Sequence, residues 1–264
     1  LTISHLRFGD HPIRSAYYVG DADCVVCGNP SYVDKYDMVG DVKPGGVFLL
    51  NCSWSEEDLE RRLPADMKRT LAQKGIHLYL CDAVTIAREI GLKGRINTII
   101  QSAYFKLAGI LPAEEAIEYM KQGIVNDYAA KGQKIVDMNV AAVLAGQTAA
   151  REVAVPEHWA HLEEEPRAAV GLTGANADQA DYVQNILLPT NRMEGDSLPV
   201  STFLPYATGK VPSGTSAFEK RGIAVEIPVW HPENCIQCNF CSYVCPHAVI
   251  RPAVMTEEEA KNAP

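Results

Sequence analysis

Four cysteines close to the carboxyl end of the chain have the spacing of metal ligands. Cys235, Cys238, Cys241 and Cys245 form the run C-x2-C-x2-C-x3-C, and Pro246 follows directly. Two-residue spacers let three thiolates curl around one cubane of iron and sulfide, while the intervening amides can donate hydrogen bonds to its sulfurs. A zinc site would need two separated Cys/His pairs rather than one dense run. The spacing therefore predicts that these four residues are ligands of 4Fe–4S clusters.

The run completes neither of the two clusters that it predicts. In two-cluster ferredoxins the fourth cysteine, the one before proline, binds the other cluster. Cys235, Cys238 and Cys241 would then need a fourth ligand from elsewhere, and Cys245 would belong to a second cluster. No cysteine follows Cys245. A single-cluster site would instead need a distant cysteine, and no upstream Cys-Pro pair offers one.

The other four cysteines are scattered among apolar residues. Cys24 and Cys27 form a C-x-x-C, but residues three apart in a strand point to opposite faces, and a redox pair needs a helix N-terminus to stabilise its thiolate. We expect these two, together with Cys52 and Cys81 near strand ends, to be packing residues. Because no secretory signal is visible, the cysteines indicate metal binding rather than disulfides.

A second candidate ligand site is the glycine-rich entry into a helix at Gly91–Asn97. Glycines let a phosphate approach the backbone, and the amides of a helix N-terminus attract anions. Lys93 and Arg95 add positive charge. An ordinary helix entry explains the same residues and stays open as the alternative. No Walker A run, complete G-x-G-x-x-G, Ser-His-Asp set or paired carboxylates stand out, so we assign no catalytic residue.

Composition excludes several classes of protein. The 264 residues carry 24 Lys and Arg against 33 Asp and Glu, a net charge of −9, which argues against a general nucleic-acid binder. No stretch reaches the roughly 18 apolar residues of a membrane span, and no signal peptide is visible. We therefore expect a cytoplasmic protein that does not bind membranes.

The chain starts at Leu1 without a Met, and Thr2–Leu6 reads like the middle of a strand, which favours an excised piece over a processed N-terminus.

Residues 1–150 alternate short apolar runs with helical stretches. This pattern predicts βαβ units and an α/β domain whose largely parallel sheet is flanked by helices. A helix should begin after Ser55, stop at Gly75 and kink or split at Pro64. Buried strands are expected at 22–27, 47–50 and 76–80, and further helices at 83–90, at 96–110, from Pro112 onward and at 134–145.

Two further segments follow this domain. Residues 151–230 are rich in Pro, Gly, Ser, Thr and Asn, which favours a long irregular connector over a surface. Residues 231–264 hold the cysteine run and are predicted to be the start of a ferredoxin-like iron–sulfur domain.

Several stretches together resemble the γ region of pyruvate:ferredoxin (flavodoxin) oxidoreductases. They are Thr2–Gly9 with Pro12–Ser15, then Asn29–Val33 and Gly94–Thr98. Ser216–Ala224 is similar to the Glu-Lys-Arg connector element of that family, and Pro228–Trp230 leads from it to the cysteine run. The resemblance covers essentially the whole chain.

The resemblance implies a function that the residues alone do not. Members of the family oxidatively decarboxylate pyruvate on thiamine diphosphate with Mg²⁺, pass two electrons singly through 4Fe–4S clusters, and yield acetyl-CoA and reduced ferredoxin or flavodoxin. Their γ domain contributes to the coenzyme A site, to which Asn97 is matched, with Arg95 as its nearest basic neighbour. The partners implied are the remaining domains of the same enzyme, ferredoxin or flavodoxin, and a second copy in a homodimer. The thiamine and pyruvate sites fall outside these residues, so the piece alone should be inactive.

Two alternatives remain. A non-catalytic iron–sulfur electron-transfer subunit would be complete in itself, with one functional cluster. An oxidoreductase of another 2-oxoacid would keep the chemistry and change a substrate pocket that lies outside this chain.

Overall fold

The structure, a computed structural model, describes residues 2–163, 171–219 and 228–261. It divides into two units, residues 1–223 and 224–264, which we treat separately. The described residues of the first unit form one four-stranded sheet, with strands β1 (Ala22–Cys27), β2 (Val42–Asn51), β3 (His77–Cys81) and β4 (Ala150–Val153). Its helices are α1 (Glu56–Arg62), α2 (Ala65–Gln73), α3 (Ala83–Ile90), α4 (Asn97–Ala108), α5 (Ala113–Tyr128), α6 (Gln133–Ala149), α7 (Ala177–Tyr182) and α8 (Leu188–Asn191).

The sheet is largely parallel, as the sequence predicts. Its strand order is β1-β2-β3-β4; β1 pairs in parallel with β2, and β2 with β3, whereas β4 runs antiparallel to β3. Helices α1 and α2 connect β2 to β3 as a βαβ unit. The connection from β1 to β2 contains only a single 3-10 turn, Pro30–Tyr32, so it is not the helical crossover expected of such a unit.

The helical region between β2 and β3 shows how local sequence sets the element boundaries. The Ser55 hydroxyl caps α1 by accepting a hydrogen bond from the Asp58 amide, and the Asp58 carboxylate accepts one from the Ser55 amide, which completes a capping box. Pro64 divides the predicted helix into α1 and α2, because proline cannot supply the amide that a continuous helix needs. Gly75 follows the helix in a left-handed conformation with φ 58°.

The core consists of two layers, one on each face of the sheet. Phe48 and Leu50 of β2 face α1 and α2, whereas Leu49 between them faces α3, α4 and α6. All three side chains are fully buried. Because both faces are covered, the strands read as continuous apolar runs rather than as alternating ones.

Helices α4 and α6 pack closely at Gly146. A Cβ atom at that position would lie 2.5 Å from the carbonyl oxygen of Ile99 and 2.6 Å from Ser102 Cβ. The Ser102 hydroxyl donates to the Val143 carbonyl at 2.6 Å and accepts from Gln147 Nε2 at 2.8 Å. The absence of a side chain at Gly146 therefore allows the two helices to approach each other.

The amino-terminal segment is not a strand, so the prediction for Thr2–Leu6 is wrong. These residues are irregular, and side chains rather than a strand ladder hold them: the Val19 amide donates to His5 Nδ1 at 3.1 Å, and Arg7 donates to the Tyr18 carbonyl at 2.9 Å. The segment has no pairing strand among the described residues, and Phe8 packs edge-on against Phe105 instead.

The segment predicted as an irregular connector is partly ordered. It begins with the end of β4 and continues into a 3-10 turn, Glu157–His161. Trp159 of this turn is buried; its indole donates to the Glu60 carboxylate at 2.6 Å, and the Lys68 ammonium lies over its ring at 5.4 Å. Helix α7 leads through a π-helical stretch, Val183–Leu187, into α8. The predicted boundaries at 150 and 230 stay predictions.

The described part of the second unit, residues 228–261, contains two short helices, α9 (Phe240–Val244) and α10 (Glu257–Lys261), and a 3-10 turn, Pro232–Asn234. Across the described parts of both units, none of the helices combines the length and apolarity needed to span a membrane.

Candidate functional site

The cysteine run extends from the end of the 3-10 turn Pro232–Asn234 to the end of α9. Cys235 follows the 3-10 turn and donates its amide to the Pro232 carbonyl at 3.1 Å. Cys238 lies in the loop, Cys241 is in the first turn of α9, and Cys245 ends that helix. Pro246 cannot continue the helix, which turns the chain away after Cys245.

The backbone of this loop is held in an unusual conformation. Gln237 and Asn239 have φ 56° and 59°, a left-handed region that costs a residue with a side chain about 1–2 kcal/mol. Alternation of right- and left-handed residues turns successive amides toward one concave side, a geometry that suits anions and iron–sulfur clusters. The Gln237 amide accordingly points at Cys235 Sγ, 3.4 Å away.

Cys245 lies in a second set of amides. The backbone N–H groups of Ile250, Val249 and His247 point at its sulfur and lower the pKa of the Cys245 thiol below its ordinary value of 9.0. Ala248 in the same turn has φ 51°, another left-handed residue. The surroundings of Cys245 therefore favour a thiolate, which is the form that binds metal.

All four thiols of the run are free, and three of them are exposed. Within the described residues, no three His, Cys, Asp or Glu side chains are gathered in a way that could hold a metal ion. The donor chemistry nevertheless fits an iron–sulfur cluster, because thiols, amides directed at sulfur and left-handed spacer residues occur together. The assignment of the four cysteines as ligands stays a prediction.

Large apolar side chains surround the cysteines without being buried. Ile236 and Tyr243 are more than four-fifths exposed, and Trp230 and Phe240 are also exposed. His231, four residues before Cys235, forms a 3.0 Å hydrogen bond with Glu233. The cysteines thus lie among exposed apolar side chains.

Three of the four cysteines of the first unit, Cys27, Cys52 and Cys81, are buried in the core as expected, whereas Cys24 is half-buried. Cys27 is buried with Phe48 and Leu50, while Cys81 is buried on the opposite face of the sheet. Burial raises the pKa of the Cys24, Cys27 and Cys81 thiols to about 11 and also raises that of Cys52. Neutral thiols of this kind are poor nucleophiles and poor metal ligands.

The glycine-rich loop brings Arg95 and Asn97 together at the start of α4. Gly91, Lys93 and Gly94 are left-handed, with φ 91°, 50° and 82°, and they turn the chain sharply between α3 and α4. Asn97 is the first residue of α4, Ile96 precedes it, and no side chain caps the helix. Arg95 and Asn97 are both exposed. The first-turn amides and two basic side chains therefore form a positive helix entry that could hold an anionic group.

Sequence reasoning did not single out Asn139 on α6, which lies beside this loop. Asn139 is buried; its amide donates to the Ile135 carbonyl at 2.8 Å, and its oxygen accepts from the Thr98 hydroxyl at 3.5 Å. It joins the first turn of α4 to α6. The sequence does contain a signal for Asn139, since it is a polar residue on a helix face that Val136, Ala142 and Val143 otherwise make apolar.

An α/β domain followed in one chain by a ferredoxin-type cysteine loop is the arrangement of a multidomain iron–sulfur protein. A family model described as pyruvate ferredoxin/flavodoxin oxidoreductase matches residues 1–149. The chain belongs to this family. Two further models match later parts of the chain: a domain of unknown function at residues 173–224 and a 4Fe-4S binding domain at residues 228–251. Residues 220–224 of the Glu-Lys-Arg element lie outside the described residues.

Relatives match the chain over its whole length. The pyruvate:ferredoxin oxidoreductase of Moorella thermoacetica is 52% identical and the pyruvate-flavodoxin oxidoreductase of Klebsiella pneumoniae 50% identical, each over 264 residues. The mitochondrial pyruvate dehydrogenase [NADP(+)] of Euglena gracilis is 44% identical over 268 residues. Each match includes 100% of this chain, but the chain spans only 22% of the length of the first two relatives and 14% of the third.

A solved structure, subunit PORC of the pyruvate oxidoreductase of Thermotoga maritima, is 20% identical and covers 52% of this chain and 67% of its own. The TM-score of this match is 0.42.

Proposed function

We propose that this chain is a segment of an enzyme that oxidatively decarboxylates pyruvate. Pyruvate and coenzyme A would give acetyl-CoA, CO₂, a proton and two electrons, and the electrons would leave through 4Fe–4S clusters to ferredoxin or flavodoxin. The observation that carries the proposal is the γ-type domain and the ferredoxin-type cysteine loop in one chain. Thiamine diphosphate and Mg²⁺ would bind in other parts of a cytoplasmic, homodimeric enzyme.

The cysteine loop would supply ligands to two neighbouring clusters. Cys235, Cys238 and Cys241 would hold one cluster and Cys245 the other, according to the ferredoxin rule. When bound, such a cluster accepts and releases one electron at a time. The Gln237 amide at Cys235 and the amides around Cys245 would stabilise negative charge on sulfur and so set the ease of reduction.

The exposed apolar side chains near the cysteines fit the same role. Ile236, Phe240 and Tyr243 present apolar surface that another part of the enzyme would cover. Covering them would exclude water from the cluster, and solvent exposure is one of the factors that set a cluster potential.

The start of α4 would border the coenzyme A site. Arg95 would pair with an anionic group of coenzyme A, the first-turn amides of α4 would face the same group, and the Asn97 amide would donate or accept a hydrogen bond. Loss of one charge-assisted hydrogen bond costs about 1.5–3 kcal/mol, which is a factor of roughly 10 to 100 in affinity.

Iron analysis of the full-length enzyme tests the cluster ligands. We expect Cys238→Ser to remove about four irons and the matching acid-labile sulfide per chain, measured anaerobically together with the EPR spectrum of the reduced enzyme. Cys24→Ser is the matched control, because Cys24 lies in β1 and should leave the iron content unchanged. Full iron in the Cys238 variant would refute the assignment.

The same measurement on the 264-residue chain separates the proposal from the self-contained alternative. We expect little or no iron, because ligands of both clusters lie elsewhere. A content of about four irons with a reducible cubane signal would mean that Cys245 closes the first cluster. The chain would then have to be treated as an electron-transfer unit in its own right.

Steady-state kinetics of the full-length enzyme test the coenzyme A assignment. Asn97→Ala and Arg95→Ala should raise the KM for coenzyme A about 10- to 100-fold and leave the KM for pyruvate unchanged. Asn126→Ala, an exposed asparagine on α5, should alter neither constant. An unchanged KM for coenzyme A in both site variants would remove these residues from the site.

The electron acceptor has one specific competitor. A relative at 44% identity is named a pyruvate dehydrogenase of NADP⁺. NADP⁺ reduction by the full-length enzyme, assayed beside ferredoxin and flavodoxin reduction, would decide between these acceptors.

A further inference from the structure

A short segment that follows the sheet packs on α1 and α2. It comprises residues 156–162, which include the 3-10 turn Glu157–His161, and we call it the strap. The amides of Trp159 and Leu162 donate to carbonyls within the strap itself, at 3.1 and 3.4 Å. In the described part of the chain, no backbone hydrogen bond joins the strap to another element. The strap can therefore separate from the domain without breaking a strand ladder or a helix.

Side chains of the α/β domain hold the strap in place. Gln73 Nε2 of α2 donates to the Ala160 carbonyl at 3.0 Å, and Arg69 of the same helix donates to the Leu162 carbonyl at 3.0 Å. The Trp159 side chain is buried in the core layer that α1 and α2 form with the sheet. The attachment of the strap thus consists of one buried ring and a few polar side chains.

The Glu60 carboxylate is the point at which α1, α2 and the strap meet. Its Oε2 accepts a hydrogen bond from the Trp159 indole at 2.6 Å, and its Oε1 accepts one from the Lys68 ammonium at 3.1 Å. Lys68 is only 7% exposed; it also donates to the Glu60 carbonyl, one of the last four carbonyls of α1, which lack intrahelical partners. Because a buried ammonium is costly without a counter-charge, this carboxylate neutralises Lys68 and fixes Trp159 at the same time.

We propose that the strap opens and closes as one unit and that the Glu60 carboxylate is its acid-sensitive latch. Loss of the negative charge at Glu60 leaves the Lys68 ammonium buried without a counter-charge and weakens the hydrogen bond to the indole. Opening would lengthen the connection between β4 and the rest of the connector, because the five residues of the 3-10 turn rise about 10 Å as a turn and about 17 Å when extended. The latch thereby sets how closely the connector is tied to the α/β domain, whichever reaction the protein takes part in.

The groups that face Glu60 determine the direction of the pH dependence. Lys68 faces the carboxylate from α2, and His158 faces it from the strap, with Nε2 3.8 Å from Glu60 Oε2. Desolvation raises the pKa of the Glu60 carboxyl, but the hydrogen bonds from Trp159 and Lys68 outweigh it and hold that pKa below its ordinary value of 4.5. Since the folded state has the lower pKa, the latch is fully effective above about pH 4.5 and weakens as the pH falls below that value.

Hydrogen–deuterium exchange of the 264-residue chain, resolved to single amides, tests the latch. The amides of Trp159 and Leu162 report on the strap, and those of β3 report on the domain. Glu60→Gln keeps the shape of the side chain but has no charge and only one acceptor oxygen, so we expect the strap amides to exchange about tenfold faster while β3 is unchanged. Glu118→Gln is the matched control, because it removes an exposed ion pair with Lys121 on α5 and should alter neither set of amides.

A second variant keeps the test valid if Glu60→Gln does not fold. Trp159→Phe retains a ring in the core and removes only the N–H donor to Glu60, so the strap amide of Leu162 should again exchange faster than in the parent chain. Parental exchange of the strap in either variant that folds would show that the carboxylate is not the latch.

The acid sensitivity is tested by the same exchange at about pH 5.5 and about pH 3.5, with each rate divided by the intrinsic rate of that amide. In the parent chain the protection of the strap should fall by up to about tenfold, the limit for one linked proton over the one unit below pH 4.5, while β3 stays protected. In Glu60→Gln the protection of the strap should be the same at both pH values. Equal loss of protection in the strap and in β3 would make the strap part of global unfolding and overturn the proposal, as would constant protection of the strap in the parent chain.

Discussion

The close approach of α4 and α6 makes Gly146 the most sensitive glycine of the helical layer. In Gly146→Ala the new methyl group would lie 2.5 Å from the Ile99 carbonyl oxygen, about 0.9 Å inside ordinary contact. The obstructing atom belongs to the backbone, so the helices themselves must separate. Such overpacking costs about 3 kcal/mol, the upper part of the usual range. The higher helix propensity of alanine returns about 1 kcal/mol, which leaves a net loss of about 2 kcal/mol.

Gly123→Ala is the matched control for this substitution. Gly123 lies inside α5, and a Cβ atom there would meet nothing within 4 Å. This variant should gain about 1 kcal/mol from helix propensity alone. Urea unfolding of the 264-residue chain, followed by far-ultraviolet circular dichroism, should therefore move the two midpoints in opposite directions. Thermal midpoints should fall by about 4–8 °C for Gly146→Ala and rise by about 2–4 °C for Gly123→Ala.

The two glycine variants can refute the reasoning directly. If Gly146→Ala is as stable as the parent chain, the α4–α6 contact is looser than described. If both variants are destabilised to the same extent, backbone conformation rather than packing decides the result.

Two further predictions concern the connector and the cysteines. Trp159→Ala should lower the free energy of unfolding in urea by about 3–5 kcal/mol, because it leaves a cavity in the core and removes the indole that donates to Glu60. The control Trp230→Ala, at an exposed tryptophan, should change the free energy of unfolding by about 0.5 kcal/mol or less. Equal effects of the two substitutions would argue against packing of the connector on the α/β domain. Alkylation of the iron-free 264-residue chain at pH 8, followed by mass spectrometry, should label Cys235, Cys238 and Cys241 within a time that leaves Cys27 and Cys81 unmodified. The latter two are buried, and burial raises their pKa to about 11. The ordinary thiol pKa is 9.0, so between about pH 9 and pH 11 these two thiols ionise in the unfolded chain but not in the folded one. The free energy of unfolding should therefore fall as the pH rises from about 9 toward 11. A free energy of unfolding that stays constant across this interval would contradict the burial of the two thiols.

Much of the local structure follows from the sequence alone. The apolar runs that became β1, β2 and β3, the cap at Ser55 and the break at Pro64 depend on residues close together in the chain. The iron–sulfur oxidoreductase family is indicated by local sequence alone, through the family motifs and through the spacing of Cys235, Cys238, Cys241 and Cys245. Such signals are readable because propensity, capping and ligand spacing are local properties.

Tertiary structure decided the features that depend on distant parts of the chain. Strand β4 has only four residues, Ala150–Val153. It forms a strand because α6 ends beside β3, where antiparallel pairing supplies partners for the backbone hydrogen bonds of β4. Thr2–Leu6 has the pattern of a strand but, among the described residues, no partner ladder, so it stayed irregular. The left-handed conformations of Gln237 and Asn239 and the outer position of β1 in the sheet could not be predicted from the sequence, because backbone handedness and strand order emerge only when the chain is packed.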